Sequence, residues 1–118
     1  MNEYIIYHNP RCSKSRQALQ LLRDAGIEPT IVEYLKTPLV KEELRNISHL
    51  LGLRPKDFVR KIENDFKDND LSRFLEDDEK IIEAMSLFPK IIERPIVVFG
   101  GEAVIGRPPE NIQKLIFP

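Results

Sequence analysis

The spacing of apolar residues changes along the chain, and each change predicts a new element. Tyr4-Ile5-Ile6-Tyr7 is a short β-branched and aromatic run that ends at His8-Asn9-Pro10, which predicts a strand followed by a turn. Apolar residues then recur at helical spacing from Ala18 to Gly26, and glycine suits the left-handed end of a helix. Thr30-Ile31-Val32-Glu33-Tyr34 predicts a second strand. Because a helix intervenes, we expect the two strands to pair in parallel through a right-handed crossover.

The middle of the chain has a different pattern, which predicts a helical insert at about 39–89. Apolar residues in 39–51 are spaced for one amphipathic helix, and those in 58–62 predict another turn or two. Further helices are expected within 71–88. The acidic run 76–79 is interpreted as a helix start with carboxylates near the positive end of the dipole, in preference to a metal site.

The last third of the chain predicts a hairpin and a final helix. Two apolar runs, 96–99 and 103–105, flank Gly100-Gly101, and two glycines supply the positive φ that a tight turn needs. Apolar residues in 112–116 are spaced for a helix. The order β-α-β, helical insert, β-β-α predicts an α/β protein with a thioredoxin-like fold and a four-stranded mixed sheet, as one domain over residues 1–118.

Composition narrows the classes of protein that fit this pattern. The 118 residues are 42% hydrophobic and 31% charged, which suits a single buried core. No apolar run approaches the roughly 20 residues of a membrane helix, and the N-terminus lacks the features of a signal peptide. We therefore expect a cytoplasmic protein without a membrane partner. Lys+Arg 18 against Asp+Glu 19 gives a net charge of -1, which does not favour nucleic acid as a partner.

The single cysteine is the main candidate for chemistry. One cysteine excludes an internal disulfide and a four-thiolate zinc site. Cys12 stands between the first strand and the first helix, where unpaired N–H groups and the helix dipole favour the thiolate. Arg11, Lys14 and Arg16, with His8 as a further candidate, add positive charge nearby. A buried, inert cysteine is the alternative, but the polar neighbours of Cys12 argue against it.

The residues around Cys12 argue against several known kinds of cysteine site. Ser15 stands where a Cys-x-x-Cys pair would have its second thiol, and Ala18 stands where a tyrosine phosphatase loop would have its arginine. The only histidines are His8 and His49, and the sequence gives little support for a cysteine protease triad. The remaining hypothesis is a nucleophile whose adduct is resolved by an external thiol.

Three further arginines lie beside the predicted hairpin or in the helical insert. Arg94 precedes Pro95 just before the predicted hairpin, and Arg107 follows the hairpin directly, so the hairpin could bring both to one end of the sheet. Arg60 lies in the helical insert. Taken singly, each arginine is typical of an exposed cation with no more than a surface ion pair.

Separated motifs resemble those of the glutaredoxin-dependent arsenate reductases. The resemblance covers nearly the whole chain and is carried by the following runs: His8-Asn9-Pro10-Arg11-Cys12-Ser13-Lys14-Ser15-Arg16, Glu28-Pro29, Tyr34-Leu35, Arg94-Pro95-Ile96-Val97-Val98 and Gly106-Arg107-Pro108-Pro109. It implies a thioredoxin-like fold with a helical insert. It also implies that Cys12 attacks arsenate and that Arg60, Arg94 and Arg107 bind the oxyanion, since guanidinium is a permanently charged, bidentate donor.

The resemblance implies supporting roles and external partners as well. His8 matches a histidine thought to help hold the thiolate, Ser15 is a supporting residue beside it, and Pro95 resembles the cis-proline opposite the nucleophile. The implied partners are arsenate, glutathione as co-substrate and glutaredoxin. Neither a metal nor a bound cofactor is expected.

Some positions depart from the family's better-studied members and leave alternatives open. Those members usually carry Gly-Thr after the cysteine, whereas this chain has Ser13-Lys14, and they have a C-terminal extension beyond the position of Phe117-Pro118. One alternative is a related glutathione-linked thiol oxidoreductase with another substrate. The other is a non-catalytic, Spx-like regulator that binds RNA polymerase, against which the missing second cysteine argues.

Overall fold

The computed structural model of the protein describes residues 3–118. These residues form two compact units, one made of the chain up to Thr37 together with Arg94–Pro118, and the other of Pro38–Glu93. The second unit overlaps the segment 39–89 for which the sequence predicts an insert. The organisation as a single domain stays a prediction.

The first unit is built on a mixed sheet. Its four strands lie in the order β2-β1-β3-β4, with β1 parallel to β2 and β3 antiparallel to both β1 and β4. This sheet confirms the predicted four-stranded arrangement. The elements are β1 Ile5–Tyr7, α1 Ser13–Asp24, β2 Thr30–Val32, β3 Ile96–Phe99, β4 Glu102–Ile105 and α5 Gln113–Ile116, the last preceded by a 3-10 turn at Pro109–Ile112.

The core of this unit forms where α1 packs on the sheet. Its buried apolar cluster is Ile6, Ala18, Leu22, Val97, Ile112 and Leu115. Helix α1 ends at Asp24, and the left-handed conformation predicted at its end is found at Gly26, whose φ is 79°. The Gly26 N–H donates to the carbonyl of Arg23 at 2.9 Å and the Ile27 N–H to that of Leu22 at 2.9 Å. This pattern satisfies the last carbonyls of the helix and turns the chain toward β2.

The register of the sheet gathers four connecting segments at one end. Tyr7 pairs with Val32 on one side and with Ile96 on the other, and Ile96 also pairs with Ile105. Consequently β1, β2 and β4 end where β3 begins. We refer to this as the Cys12 end of the sheet. Segments 8–12, 33–36 and 106–107 leave the strands there, and segment 94–95 leads into β3. At the other end, Gly100 has a φ of 62°, as expected for the first central residue of a type II′ turn.

The second unit is helical. It contains α2 Lys41–Leu51, α3 Asn64–Asp68 and α4 Asp78–Leu87, with 3-10 turns at Pro55–Asp57, Leu71–Phe74 and Pro89–Ile91. The carboxylate of Asp77 accepts a hydrogen bond from the Lys80 N–H at 3.2 Å and caps α4, which confirms the acidic run as a helix start. Among residues 3–118, no helix is both long and apolar enough to cross a bilayer.

The helical turn predicted at 58–62 is wrong. Val59 forms a β-bridge with Ile92, and the Arg60 N–H donates to the carbonyl of Ile91 at 2.6 Å. This pairing buries Phe58 and Val59 and leaves Ile62 72% exposed. A short apolar run does not distinguish helix from extended chain by spacing alone, and here a distant segment supplies the backbone partners.

Candidate active site

Cys12 occupies the N-cap position of α1, with extended backbone at φ -92° and ψ 122°. Its N–H donates to the carbonyl of Asn9 at 3.0 Å, and its own carbonyl accepts from the Arg16 N–H at 3.0 Å. The first turn of α1 carries no acidic residue. The half-buried thiol therefore lies at a helix N-terminus whose N–H groups are available to a negative charge.

The pKa of the Cys12 thiol is lowered from its ordinary value by this setting. Burial acts in the opposite direction and raises the pKa. The backbone N–H of Ser15, the hydrogen bond and charge of Arg94, and the backbone N–H of Lys14 together outweigh burial because each stabilises the thiolate.

The β3–β4 hairpin brings two of the predicted arginines to the thiol. The Nη1 of Arg107 lies 3.9 Å from the Sγ of Cys12 and donates to the carbonyl of Arg94 at 3.4 Å. Arg94 precedes β3 by two residues, and Arg107 follows β4 by two residues. The Arg94–Pro95 and Arg107–Pro108 peptide bonds are both cis. The structure thus places Cys12, Arg94 and Arg107 together at the Cys12 end of the sheet.

Gly106 allows the segment before β3 and the segment after β4 to pack closely at the open end of this hairpin. Its N–H donates to the carbonyl of Pro95 at 2.8 Å. A Cβ at this position would meet the Pro95 Cγ at 2.8 Å and the Ile112 Cγ2 at 3.4 Å, so only glycine fits without a shift. Gly106 stands in one of the motifs that resemble the family, but its spacing in the sequence indicates no role for it, because its contact is with Pro95, which lies just before β3.

His8 and Ser15 form a buried pair behind the nucleophile's loop. They are 6% and 0% exposed, and the His8 Nδ1 lies 2.6 Å from the Ser15 Oγ, which also accepts from the Asn9 N–H at 3.0 Å. Burial lowers the pKa of His8, Glu33 opposes this shift, and Arg23 and Arg16 add to it. Burial therefore disfavours the protonated, positively charged form of His8, and its supporting role stays a prediction. Its hydrogen bond ties the loop to α1.

Comparison with known families decides the assignment. The model of the ArsC family matches residues 7–115. The chain belongs to the ArsC family.

Relatives of this ArsC-family chain match it over nearly its full length. It is 41% identical to the arsenate reductase of Neisseria meningitidis serogroup A over 98% of this chain and 100% of the relative. It is 45% identical to the "Uncharacterized protein YfgD" of Escherichia coli (strain K12), over 94% of each. The solved structure of an arsenate reductase from Vibrio cholerae superposes with a TM-score of 0.92 at 42% identity, covering 96% of this chain and 97% of that one. This likeness confirms the thioredoxin-like fold.

The cations that bear on the thiol of this ArsC-family chain differ from those nearest in sequence. Lys14 lowers the pKa of Cys12 through its backbone N–H, whereas Arg94 does so through its side chain. The guanidinium of Arg16 donates to the carbonyl of Pro10 at 3.1 Å. Proximity in the sequence predicted that the positive charges of Arg11, Lys14 and Arg16 act on the thiol. In the structure, the hairpin places Arg94 and Arg107 beside it.

Arg60 lies in the second unit and is held there by two carboxylates. Its Nε donates to Glu63 at 3.1 Å and its Nη1 to Glu93 at 2.9 Å, and 12% of its side chain is exposed. A guanidinium has more N–H donors than these two bonds use. The role in oxyanion binding that the resemblance implies for Arg60 stays a prediction.

The carboxylates among residues 3–118 are arranged for ion pairs and not for a metal ion. Within residues 3–118, no group of three or more His, Cys, Asp and Glu side chains is arranged to hold one. The acidic run 76–79 instead forms ion pairs, of Glu76 and Asp78 with Arg54 and of Glu79 with Arg45.

Proposed function

We propose that this protein reduces arsenate to arsenite through Cys12, with glutathione and glutaredoxin as external reductants. The observation that carries the proposal is the half-buried thiol of lowered pKa, with the Arg107 guanidinium 3.9 Å from its sulfur. Membership of the ArsC family and relatives named arsenate reductases support the substrate.

The first step is displacement at arsenic. The Cys12 thiolate attacks protonated arsenate, an S–As bond forms, and one oxygen leaves as water after taking up a proton. Arsenic stays in the pentavalent state in this step. Lowering the thiol pKa increases the fraction of Cys12 that is ionised at a given pH, and the thiolate is the form that reacts.

The second step transfers two electrons to arsenic. Glutathione attacks the sulfur of Cys12, an S–S bond forms as the S–As bond breaks, and the electron pair of that bond reduces arsenic to arsenite. A thiol of glutaredoxin then attacks the mixed disulfide at glutathione, so that Cys12 returns as a thiol and glutathione leaves on glutaredoxin. Ser15 has no thiol to offer, so the resolving thiol must come from outside the Cys12 loop.

The arginines supply the charge that this chemistry needs. An arsenate anion that approaches an anionic sulfur is repelled unless cations bind its oxygens. Arg94 and Arg107, brought to Cys12 by the hairpin, present guanidinium groups that bind tetrahedral oxyanions bidentately. Arg60 is the third candidate, and the carboxylates of Glu63 and Glu93 would fix the direction of its remaining N–H groups.

The test is steady-state arsenate reduction, coupled through glutathione, glutaredoxin and glutathione reductase to NADPH oxidation. We expect turnover by the wild type, none by Cys12→Ser, and unchanged turnover by Lys114→Ala, an exposed control on α5. Turnover that survives in Cys12→Ser, or its absence in the wild type, would contradict the proposal.

A second candidate function shares the same thiol. Cys12 is a half-buried free thiol, and a thiolate of lowered pKa also attacks the mixed disulfides of glutathionylated proteins. Release of glutathione from such a substrate, without arsenate turnover, would favour a glutathione-linked thiol oxidoreductase. Binding to RNA polymerase that survives in Cys12→Ser would favour the regulator.

A further inference from the structure

A cavity of about 240 Å³ adjoins the loop that carries the nucleophile. It is lined by residues 8–11 of that loop and by Glu33, Leu35 and Lys36, which follow β2. In the sheet, β1 lies between β2 and β3. The cavity is therefore on the β2 side of the Cys12 loop, whereas Arg94 and Arg107 approach from the β3 side.

The side chains around this cavity carry both signs of charge. The Lys36 Nζ lies 3.3 Å from the Glu33 carboxylate, the Lys36 side chain is largely exposed, and the Glu33 side chain is partly exposed. Arg11 adds a second cation, and Leu35 and Pro10 add apolar surface. His8 is 6% exposed, and Ser15 engages its Nδ1, so Nε2 is the ring nitrogen left for a bound molecule. Such a set matches a ligand with a carboxylate and an ammonium group a few bonds apart.

The volume limits the size of that ligand. Pockets that enclose drug-sized molecules measure roughly 300–1,000 Å³, so a cavity of about 240 Å³ suits one amino-acid-sized group. The γ-glutamyl end of glutathione is such a group, with an α-ammonium and an α-carboxylate on one carbon.

We propose that this cavity binds the γ-glutamyl end of glutathione, with the ammonium at Glu33 and the carboxylate at Lys36 and Arg11. The inference rests on the proposed function in one respect, that glutathione is the attacking thiol. In that step the S–S bond forms as the S–As bond breaks, so the incoming thiol must approach the sulfur opposite to arsenic. With the oxyanion held on the β3 side, the opposite approach is from the β2 side, where the cavity lies.

A binding measurement without chemistry tests the cavity. S-methylglutathione, which cannot form a disulfide, is titrated into the Cys12→Ser protein by calorimetry and by amide chemical shifts. We expect shifts at residues 8–11 and 33–36, and a loss of affinity of about 5- to 10-fold in Lys36→Ala, the usual scale for one charge-assisted contact. Lys114→Ala, the matched surface lysine, should bind as the unsubstituted protein does.

Truncating the ligand gives an independent check. S-methyl-cysteinylglycine lacks the γ-glutamyl group, so it should bind more weakly than S-methylglutathione and should be indifferent to Lys36→Ala. Equal binding of the two ligands, shifts confined to residues 94–107, or no binding of S-methylglutathione would each overturn the proposal.

Kinetics separate the failure of this inference from that of the proposed function. If arsenate is reduced, Lys36→Ala should raise the KM for glutathione about 5- to 10-fold and leave the KM for arsenate unchanged. An unchanged KM for glutathione would refute the cavity while arsenate reduction stands. If arsenate is not reduced, the binding measurement still decides the cavity, because it involves neither arsenate nor the thiol of Cys12.

Discussion

The charge on Cys12 depends on atoms from two separate parts of the chain. The backbone N–H groups of Lys14 and Ser15 are local, whereas Arg94 comes from the start of β3. Burial opposes both contributions by raising the pKa. The lowered pKa of Cys12 therefore depends on the hairpin as well as on the helix, and removing a distant side chain should change this pKa.

The first prediction compares a distant arginine with a neighbouring one. Arg94→Ala should raise the pKa of Cys12, because the variant loses both a hydrogen bond and a positive charge that stabilise the thiolate. Arg16→Ala should change it less, because the Arg16 guanidinium donates to the Pro10 carbonyl. The rate of alkylation by iodoacetamide as a function of pH measures both. A larger shift in Arg16→Ala than in Arg94→Ala would contradict this account.

The second prediction follows from the direction of the Cys12 shift. A thiol whose pKa is lower in the folded than in the unfolded state stabilises the fold where both states are ionised, and this contribution disappears as pH falls through the folded pKa. The free energy of unfolding of the wild type, relative to Cys12→Ser, should therefore rise with pH up to the ordinary thiol pKa and then level off. Urea unfolding under reducing conditions from pH 6 to about 9.5 measures it. A difference that is flat or falls with pH would refute the shift.

At the scale of elements, the distance between Arg94 and Arg107 depends on how the segment before β3 packs on the segment after β4. Gly106 and Pro95 make this contact, with a backbone hydrogen bond of 2.8 Å and no space for a Cβ. Pro95 is buried, and its ring has little freedom to move away. This contact therefore joins the two segments that carry the arginines.

The third prediction tests this packing. Gly106→Ala should lower the free energy of unfolding by about 1–3 kcal/mol, the usual cost of overpacking a filled site. It should also raise the pKa of Cys12 by shifting the arginines. Gly101→Ala is the matched control, since nothing lies within 4 Å of a Cβ there and its effect should be small. Equal effects of the two substitutions, measured by urea unfolding and alkylation, would argue against the close contact.

The sequence predicted elements whose signals are local and missed those that depend on distant partners. The left-handed conformation of Gly26 after helix α1 and the turn at Gly100 follow from residue type alone, and both are confirmed. The segment 58–62 pairs with Ile92 instead of forming a helix. Likewise, the position of Cys12 was readable locally, whereas the contact of Arg107 with its sulfur and the packing of Gly106 on Pro95 depend on the sheet register.

For the whole molecule, net charge says little about the ligand. A chain with net charge -1 has no overall attraction for an anion, so oxyanion binding has to depend on a local group of cations. Such a group is found at the Cys12 end of the sheet, where the surrounding field is set by Arg94, Arg107 and the helix N-terminus.

The fourth prediction uses stability to report on that local group. Arsenate at about 100 times its Kd should stabilise Cys12→Ser by about 2.7 kcal/mol and raise its Tm by several degrees. Adding Arg94→Ala should weaken anion binding by about 1.5–3 kcal/mol, the range for a hydrogen bond to a charged group, and so remove most of the rise. Sodium chloride at equal ionic strength controls for screening. A rise that persists without Arg94 would remove this residue from the oxyanion site.

The glycine turn at the far end of the β3–β4 hairpin reverses the chain and also fixes the distance between Arg94 and Arg107. Arg94 and Arg107 lie just outside the same, open end of one antiparallel pair, whose register runs from Phe99 and Glu102 at the turn to Ile96 and Ile105 beside the arginines. Because a strand advances about 3.4 Å per residue, a register slip of one residue would move the two guanidiniums relative to each other by about the diameter of an oxygen atom and reverse the faces of one strand. The turn at Gly100 and Gly101 thus fixes the strand register on which the positions of both arginines depend. A one-residue deletion in the turn, remote from the sulfur, would mis-set the distance between the two cations.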